Sequence, residues 1–315
     1  MIGGGVIGVM TAWHLVQKGL SVVLCEKGRI AGEQSSRNWG WVRQQGRDPS
    51  ELPIMTESLA IWKRLAAEMG EGLGFRQTGV MYLAKTQREI DGFEAWTEHS
   101  RAHQLDTRLL TATEAAAMLK GAAGGWKGAL WTASDARAEP WVAVPMLAAA
   151  AEERGVLIRE ACAVRGLDIA GGKVAGVVTE AGRVACDHVV VAAGAWSRLF
   201  LGRHGVKLPQ LSVLASVAAT EPMPEIFSGA AADDDFAFRR RADGGYSLAP
   251  PVAARMISSS AGCLCVLHLL PADPAQRLAR RHLPPCRPQG LSRRLGHAAP
   301  LGRMTPRARS SASAS

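Results

Sequence analysis

The chain has 315 residues, 47% of them hydrophobic and 21% charged, a balance that excludes disordered and fibrous proteins and leaves room for two globular domains. The net charge of +9 comes entirely from residues 251–315, which carry ten arginines and a single acidic residue, whereas the first 250 residues are electrically neutral. The folded body therefore lacks a basic surface of its own, and nucleic acid is not expected as a partner.

The cysteines and the apolar runs exclude further classes of protein. The six cysteines form no CxxC pair, so we predict neither a disulfide framework nor a metal site, and we expect a reducing, cytoplasmic location. The chain opens without a basic leader, so no signal peptide is predicted. The longest nearly apolar run, residues 141–151, falls short of the roughly 20 residues that a membrane-spanning helix needs.

The first forty residues carry a glycine-rich turn with the pattern GxGxxG at Gly3, Gly5 and Gly8. Residues 6–18 then show helical spacing of apolar side chains, and a β-branched run over 20–25 ends at Glu26. This order is typical of a strand, turn, helix and strand that bind a dinucleotide. Only two residues precede the turn, although strands commonly have about five, so we expect the true start of the chain upstream of Met1.

Each part of this unit has a predicted task. Gly3 permits the tight turn, Gly5 the close approach of the pyrophosphate, and Gly8 the packing of the helix on the sheet. The helix N-terminus at Val6 and Ile7 offers free N–H groups to the phosphates. Glu26 is expected to accept hydrogen bonds from the adenosine ribose.

Two later stretches extend the pattern. The first is Ser35-Ser36-Arg37-Asn38-Trp39-Gly40, which by itself could also be an exposed polar loop. The second is predicted to be a helix over 140–154 with a strand over 156–158, then a meander of three short strands at 163–167, 173–179 and 183–186. The run 189–197 follows and is predicted to be a buried strand that ends on small residues.

Taken together, residues 1 to about 250 resemble the D-amino-acid oxidase superfamily of FAD-dependent enzymes, which includes glycine and sarcosine oxidases and D-amino-acid dehydrogenases. The resemblance implies an α/β fold, with a discontinuous Rossmann-type FAD-binding domain at 1–45 and 140–200. It further implies that residues 35–40 lie along the pyrophosphate and flavin ring, and that the backbone at Val164 meets the adenine. The remaining residues implied to contact FAD are Lys27, Ala193, Gly194 and Trp196.

An inserted α+β substrate domain is expected at 46–139 and 201–250. Its predicted helices are 58–69, 89–103 and one capped by Thr111 or Thr113 that runs to residue 119. Its predicted strands are 80–84, 211–220, 235–241 and 246–248.

The resemblance also implies the chemistry, in which an amino acid or secondary amine is oxidised to an imine by hydride transfer to flavin N5. The electron acceptor would be oxygen or a quinone-linked chain. Tyr246 and Arg43 are the candidate active-site residues, although Tyr246 could equally well only complete a hairpin. Arg239, Arg240 and Arg241 cannot all face one pocket from a strand, so at least one is expected to be a solvated charge.

After residue 250 the family pattern stops, and the chain becomes rich in proline, arginine, serine and alanine. Three interpretations remain open: a shifted reading frame, a basic disordered arm, and an unrelated folded segment. Two other functions are also carried forward. One is a truncated, catalytically inactive flavoprotein fragment, and the other is an NAD-linked dehydrogenase, which the meander disfavours.

Overall fold

The computed structural model describes residues 1–122, 124–210 and 216–249, together with the backbone of short strands at 212–214, 255–257 and 264–266. Residues Met1–Leu269 form one compact unit, and the second unit, Leu270–Ser315, lies outside the described residues. The α-helices are α1 (Val6–Gln17), α2 (Gln34–Arg37), α3 (Leu52–Met69), α4 (Gln87–Ala102), α5 (Ala112–Met118), α6 (Pro140–Glu153) and α7 (Ser197–Gly202).

The strands are numbered in chain order. They are β1 (Val23–Cys25), β2 (Trp41–Val42), β3 (Arg76–Gln77), β4 (Val80–Ala84), β5 (Thr107–Thr111), β6 (Gly128–Thr132), β7 (Ala136–Arg137), β8 (Leu157–Arg159), β9 (Val164–Ala170), β10 (Lys173–Thr179), β11 (Gly182–Ala185), β12 (Ser212–Leu214), β13 (Ala218–Ala219), β14 (Ala230–Ala232), β15 (Ala237–Arg240), β16 (Tyr246–Ala249), β17 (Arg255–Ile257) and β18 (Leu264–Val266).

Ile2 lies at the centre of a small parallel arrangement. It forms parallel bridges to Cys25, at the end of β1, and to Val191, while β1 pairs in parallel with β8. The Ile2 N–H donates to the carbonyl of Val190 (2.9 Å), and the Ala192 N–H donates to the carbonyl of Ile2 (2.8 Å). Short as it is, the first strand therefore takes the central position that a Rossmann-type unit requires.

The predicted buried strand over 189–197 is wrong in extent. Within this run Val191 forms a bridge, and Val190 is 40% exposed. The extended backbone does not reach residue 197, because Gly194–Trp196 form a 3-10 turn that leads into α7.

Helices α1 and α6 pack together beside this arrangement. Val9, Ala12 and Trp13 of α1 share one hydrophobic core with Ala143 and Leu147 of α6. Helix α1 ends before Gly19, which adopts a left-handed conformation (φ 79°) that a glycine tolerates. The predicted meander is confirmed, because β9, β10 and β11 form an antiparallel sheet in the order β11-β10-β9.

A seven-stranded sheet, in the order β13-β16-β15-β14-β4-β6-β5, dominates the segments predicted to form the substrate domain. All its pairs are antiparallel except β14 with β4. Helices α4 and α5 contact this sheet, and each begins with a capping box, formed by Thr86 with Glu89 and by Thr111 with Glu114. The choice between Thr111 and Thr113 as the cap is thereby decided for Thr111.

Shorter sheets complete the fold. Strand β7 pairs with β2 and β3, which ties the segment after residue 40 to residues 136–137. The predicted strand 211–220 is divided, because β12 pairs with β17 whereas β13 pairs with β16. Most of 251–315, and with it the choice among the three interpretations of the tail, lies outside the described residues. In the described part of the chain, no helix combines the length and apolar character needed to cross a bilayer.

A buried ion cluster joins the start of α6 to β15. Glu139 accepts hydrogen bonds from Arg137 (2.8 Å) and, through both carboxylate oxygens, from Arg239 (2.9 and 3.1 Å). The three side chains are 10%, 3% and 0% exposed. Arg240 points the other way, donates to the carbonyl of Met223 and lies over the Tyr246 ring. Alternation along the strand was therefore predicted correctly, but Arg240 is only partly exposed rather than fully solvated.

Candidate functional site

The glycine-rich turn leaves no room for side chains. A Cβ on Gly3 would lie 2.4 Å from the carbonyl oxygen of Ala192, and one on Gly8 would lie 1.9 Å from the carbonyl oxygen of Gly3. Gly3 also has a φ of 106°, which L-residues rarely adopt. A Cβ on Gly5 would approach the Ser35 hydroxyl to 3.0 Å. These positions thus require glycine for close backbone contact, as the GxGxxG pattern predicts.

Glu26 is buried directly beneath this turn. One carboxylate oxygen accepts from the N–H of Gly4 (2.7 Å), and the other accepts from the N–H of Gly28 (2.8 Å). A carboxylate has about four lone-pair sites, so acceptor capacity remains for a ribose hydroxyl. The carboxylate therefore both holds the turn and faces the space above it.

That space is a cavity of about 1220 Å³, here called the dinucleotide cavity. The predicted residues that line it are Gly3, Gly5, Val6, Ile7, Glu26, Lys27, Ser35, Asn38, Val164, Ala193, Gly194 and Trp196. Gly8 lies below it, in the contact between α1 and the turn. Sequence reasoning missed the contribution of α7, whose residues 197–202 all line the cavity, since nothing in that short segment marks it as a binding element.

Lys27 and Trp196 close one side of the dinucleotide cavity. The Lys27 ammonium lies 4.1 Å from the centre of the Trp196 ring and forms an ion pair with Glu33 at 2.6 Å. This arrangement combines a cation–π contact with a surface ion pair.

Four residues of the 35–40 stretch do not line the dinucleotide cavity, and Ser36 and Arg37 are two of them. The Ser36 hydroxyl donates to the carbonyl of Glu33, and Arg37 pairs with the Glu33 carboxylate at 3.3 Å. Contact of Ser36 and Arg37 with the cofactor therefore stays a prediction.

Trp39 and Gly40 line a second, smaller cavity of about 530 Å³, here called the aromatic cavity. Asn38 lines both cavities, so they adjoin at this residue. The walls of the aromatic cavity are residues 38–41, Arg43, Arg47, Tyr82, Leu83, Glu89, Phe93, residues 232–234, Phe236 and Ala237.

Arg43 reaches the aromatic cavity from the loop after β2. One of its Nη atoms donates to the carbonyl of Gln45 (2.5 Å), and its guanidinium lies 5.7 Å from the centre of the Tyr82 ring. The loop itself is fixed by buried Asp135, which accepts from the N–H groups of Gln44 (2.8 Å) and Gln45 (3.1 Å). Asp135 was missed from the sequence, since no local pattern links it to residues ninety positions earlier.

Burial raises the pKa of Asp135 to about 6 from an ordinary value of 3.8, although the hydrogen bonds from Gln44 and Gln45 oppose the shift. Because the pKa of Asp135 is higher in the folded than in the unfolded protein, protonation of this group adds to the free energy of unfolding below pH 4, and the contribution is lost as the pH rises through 6. A pKa difference of two units corresponds to about 3 kcal/mol of that free energy. We expect the Asp135→Asn variant to lack this decline, as measured by urea unfolding of both proteins between pH 4 and 7. Parallel pH profiles of the two proteins would contradict it.

Tyr246 lies apart from both cavities. Its side chain is only 2% exposed, and its hydroxyl accepts from the N–H groups of Ile226 (2.8 Å) and Phe227 (3.2 Å) while donating to the carbonyl of Phe227 (3.1 Å). All hydrogen-bonding capacity of the phenol is thereby used inside the protein. The geometry favours completion of the hairpin over contact with a substrate.

Comparison with known proteins agrees with this geometry. Residues 1–272 match the family model described as DAO: FAD dependent oxidoreductase. The glycine oxidase of Pseudomonas putida is 31% identical over 219 residues, which are 66% of this chain and 58% of that protein. Human mitochondrial sarcosine dehydrogenase is 27% identical over 229 residues, which are 70% of this chain and 25% of that protein. The chain thus spans between a quarter and three fifths of the length of these two relatives.

Solved structures give the same result. The L-amino acid deaminase of Proteus myxofaciens, solved in complex with anthranilate, superposes with a TM-score of 0.76 at 34% identity, covering 79% of this chain and 57% of that one. The L-proline dehydrogenase of P. horikoshii superposes with a TM-score of 0.75 at 25% identity, covering 82% and 72%. These matches argue against the NAD-linked dehydrogenase considered above. The chain belongs to the DAO family of FAD-dependent oxidoreductases, and its cofactor is FAD.

Proposed function

We propose that this chain oxidises an amino acid or secondary amine to the corresponding imine. The observation that carries the proposal is the meeting of two cavities at Asn38, one built on the dinucleotide turn and the other lined by Arg43 and aromatic rings. FAD, when bound, supplies the acceptor for the hydride that leaves the substrate carbon. The protein then has to bind, orient and shield the substrate.

The residues of the dinucleotide cavity fit FAD. The N-terminus of α1 offers the N–H group of Ile7 to the pyrophosphate, next to a turn that excludes side chains, while the Val6 N–H donates to the Ser35 hydroxyl at the cavity wall (2.8 Å). Glu26 is available for the adenosine ribose, and Val164 for the adenine. Ala193 and Gly194 present a small-residue wall that permits close approach of the cofactor.

Arg43 is the proposed partner of the substrate carboxylate. Among the residues that the structure describes, it forms no ion pair of its own, and the Asp135-held loop keeps its guanidinium at the aromatic cavity. A guanidinium in this setting can bind a carboxylate through two parallel hydrogen bonds. Asp135 acts as a positioning residue through the loop.

Replacement of Arg43 tests this role. We expect Arg43→Met to raise the KM for amino-acid substrates by about 100-fold, because a hydrogen-bonded charge pair contributes roughly 1.5–3 kcal/mol. The measurement is steady-state kinetics with a dye acceptor. Arg64→Met is the matched control, since Arg64 forms an exposed ion pair with Glu57 and lines neither cavity, and it should leave KM within about twofold. Equal KM values for the Arg43 variant and the unmodified chain would contradict the assignment.

The proposal as a whole is tested by a visible absorption spectrum after incubation with FAD and removal of the excess. A retained flavin spectrum that bleaches anaerobically with an amino acid supports the oxidation. Retained flavin that no amino acid or amine bleaches would instead favour the catalytically inactive fragment. Oxygen consumption compared with quinone reduction then separates the two proposed electron acceptors.

A further inference from the structure

The aromatic cavity is lined by five rings brought together from four separate elements. Trp39 and Trp41 flank the start of β2, Tyr82 lies on β4, Phe93 on α4, and Phe236 precedes β15. Trp39 meets Trp41 edge-on with ring centres 5.3 Å apart, and Trp41 lies 6.3 Å from Tyr82. These distances are typical of favourable aromatic packing, and they make a continuous wall of rings.

The acidic groups at the cavity are engaged by the protein itself. Glu89 accepts from the N–H groups of Lys85 (2.8 Å) and Thr86 (2.7 Å) in the capping box of α4. Asp233 forms an ion pair with Lys85 at 2.9 Å and accepts from the Trp126 indole at 3.2 Å. These carboxylates are therefore not free counter-ions for a ligand.

Asp234 supplies the third carboxyl of the cavity wall, and burial together with a hydrogen bond to Glu89 raises the pKa of this group. Among the arginines at the cavity, Arg47 is paired with Glu51 at 3.6 Å, which leaves the guanidinium of Arg43. The cavity thus offers an apolar, aromatic interior with one cation available at its edge.

We infer that the aromatic cavity receives the side chain of the substrate, and that the substrate is an aromatic α-amino acid rather than glycine or an N-methylated glycine. The inference rests on the proposed function. A volume of about 530 Å³ is within the range of roughly 300–1,000 Å³ that ligand pockets commonly have. Glycine has only a hydrogen atom as its side chain and would leave the five rings of the cavity without a partner. The phenyl or indole ring of an aromatic substrate packs against them.

The first test is discrimination between phenylalanine and glycine in the FAD-loaded protein, measured as the rate of anaerobic flavin reduction. We expect phenylalanine to be preferred by about 100-fold or more, because both apolar burial and ring packing favour it. The Phe93→Ala variant should lower the efficiency with phenylalanine by about tenfold and leave glycine unchanged. Equal rates for the two amino acids in the unmodified protein would overturn the inference.

A control variant lies in the hydrophobic core beside α6. The ring of Phe75 stacks on Trp62 and does not line the cavity, so Phe75→Leu should keep the preference for phenylalanine. Phe236→Ala provides a second test variant, because Phe236 is 42% exposed and its truncation removes little from the core. The flavin content of all variants is measured alongside. Loss of flavin in Phe93→Ala would show that the cavity holds the flavin ring and would overturn the inference.

A binding experiment without turnover separates this inference from the proposed reaction. 3-Phenylpropanoate, which lacks the amine, is titrated calorimetrically into the FAD-loaded protein and into its Phe93→Ala variant. We expect binding that weakens about tenfold in the variant. Binding of this kind without flavin reduction by any amino acid would contradict the reaction and support the cavity's assignment. Reduction by glycine without 3-phenylpropanoate binding would support the reaction and overturn the assignment.

Discussion

The Gly8→Ala variant is expected to lose FAD binding by about 100-fold or more. The added Cβ would lie 1.9 Å from the carbonyl oxygen of Gly3, a backbone atom that cannot rotate away. Relief requires α1 to move off the turn, and overpacking of this kind commonly costs about 1–3 kcal/mol. The same movement carries the N–H groups at the start of α1 away from the pyrophosphate, so stability and binding are lost together.

Flavin absorbance per protein chain, after removal of excess FAD, measures this loss. Gly92→Ala is the matched control, because Gly92 lies within α4 and a Cβ there would meet no atom within 4 Å. That control should bind FAD normally and gain slightly in stability, since alanine favours helix over glycine by about 1 kcal/mol. Normal flavin content in Gly8→Ala would show that the close contact of α1 with the turn is not needed for binding.

The Glu139→Ala variant is expected to destabilise the fold by about 3–5 kcal/mol, the usual result when a buried charge loses its partner. Arg239 is 0% exposed and Arg137 10%, and both donate to the Glu139 carboxylate. Two guanidinium groups already share one carboxylate, and the Nε atoms of both are buried without a partner in the described part of the chain. Removal of Glu139 therefore leaves two unpaired cations in the interior. Burial already lowers the pKa of Arg137, the direction expected for a cation that is poorly compensated.

Urea unfolding of Glu139→Ala and of the double variant Glu139→Gln/Arg239→Met separates the effect of the unpaired charge on stability from the effect of lost packing. Removing a carboxylate and a guanidinium together should recover part of the loss, because the remaining buried charge is smaller. Glu57→Ala, which breaks an exposed ion pair with Arg64, should show no measurable change. A loss below about 1 kcal/mol for Glu139→Ala would indicate that water reaches the cluster.

The cofactor half of the site could be predicted from short segments of sequence. The glycine turn and the three-stranded meander each depend on contacts between residues close together in the chain. Their residue types identify the local backbone conformation directly. Assignment was least accurate where one run served two purposes, as in 35–40, where Ser36 and Arg37 complete a helix while Asn38 borders both cavities.

The substrate half depended on tertiary structure. Glu139 meets Arg239 across 100 positions, Asp135 holds a loop 90 positions earlier, and the rings of the aromatic cavity come from four elements between residues 39 and 236. Periodicity placed Tyr246 on a hairpin strand, but only packing decided that its hydroxyl is consumed by the backbone of residues 226–227. The sequence by itself thus determined the FAD-binding turn, because its signals are local and steric. Only the tertiary structure decided which charges and rings line the aromatic cavity, because burial and pairing are properties of distant segments brought together.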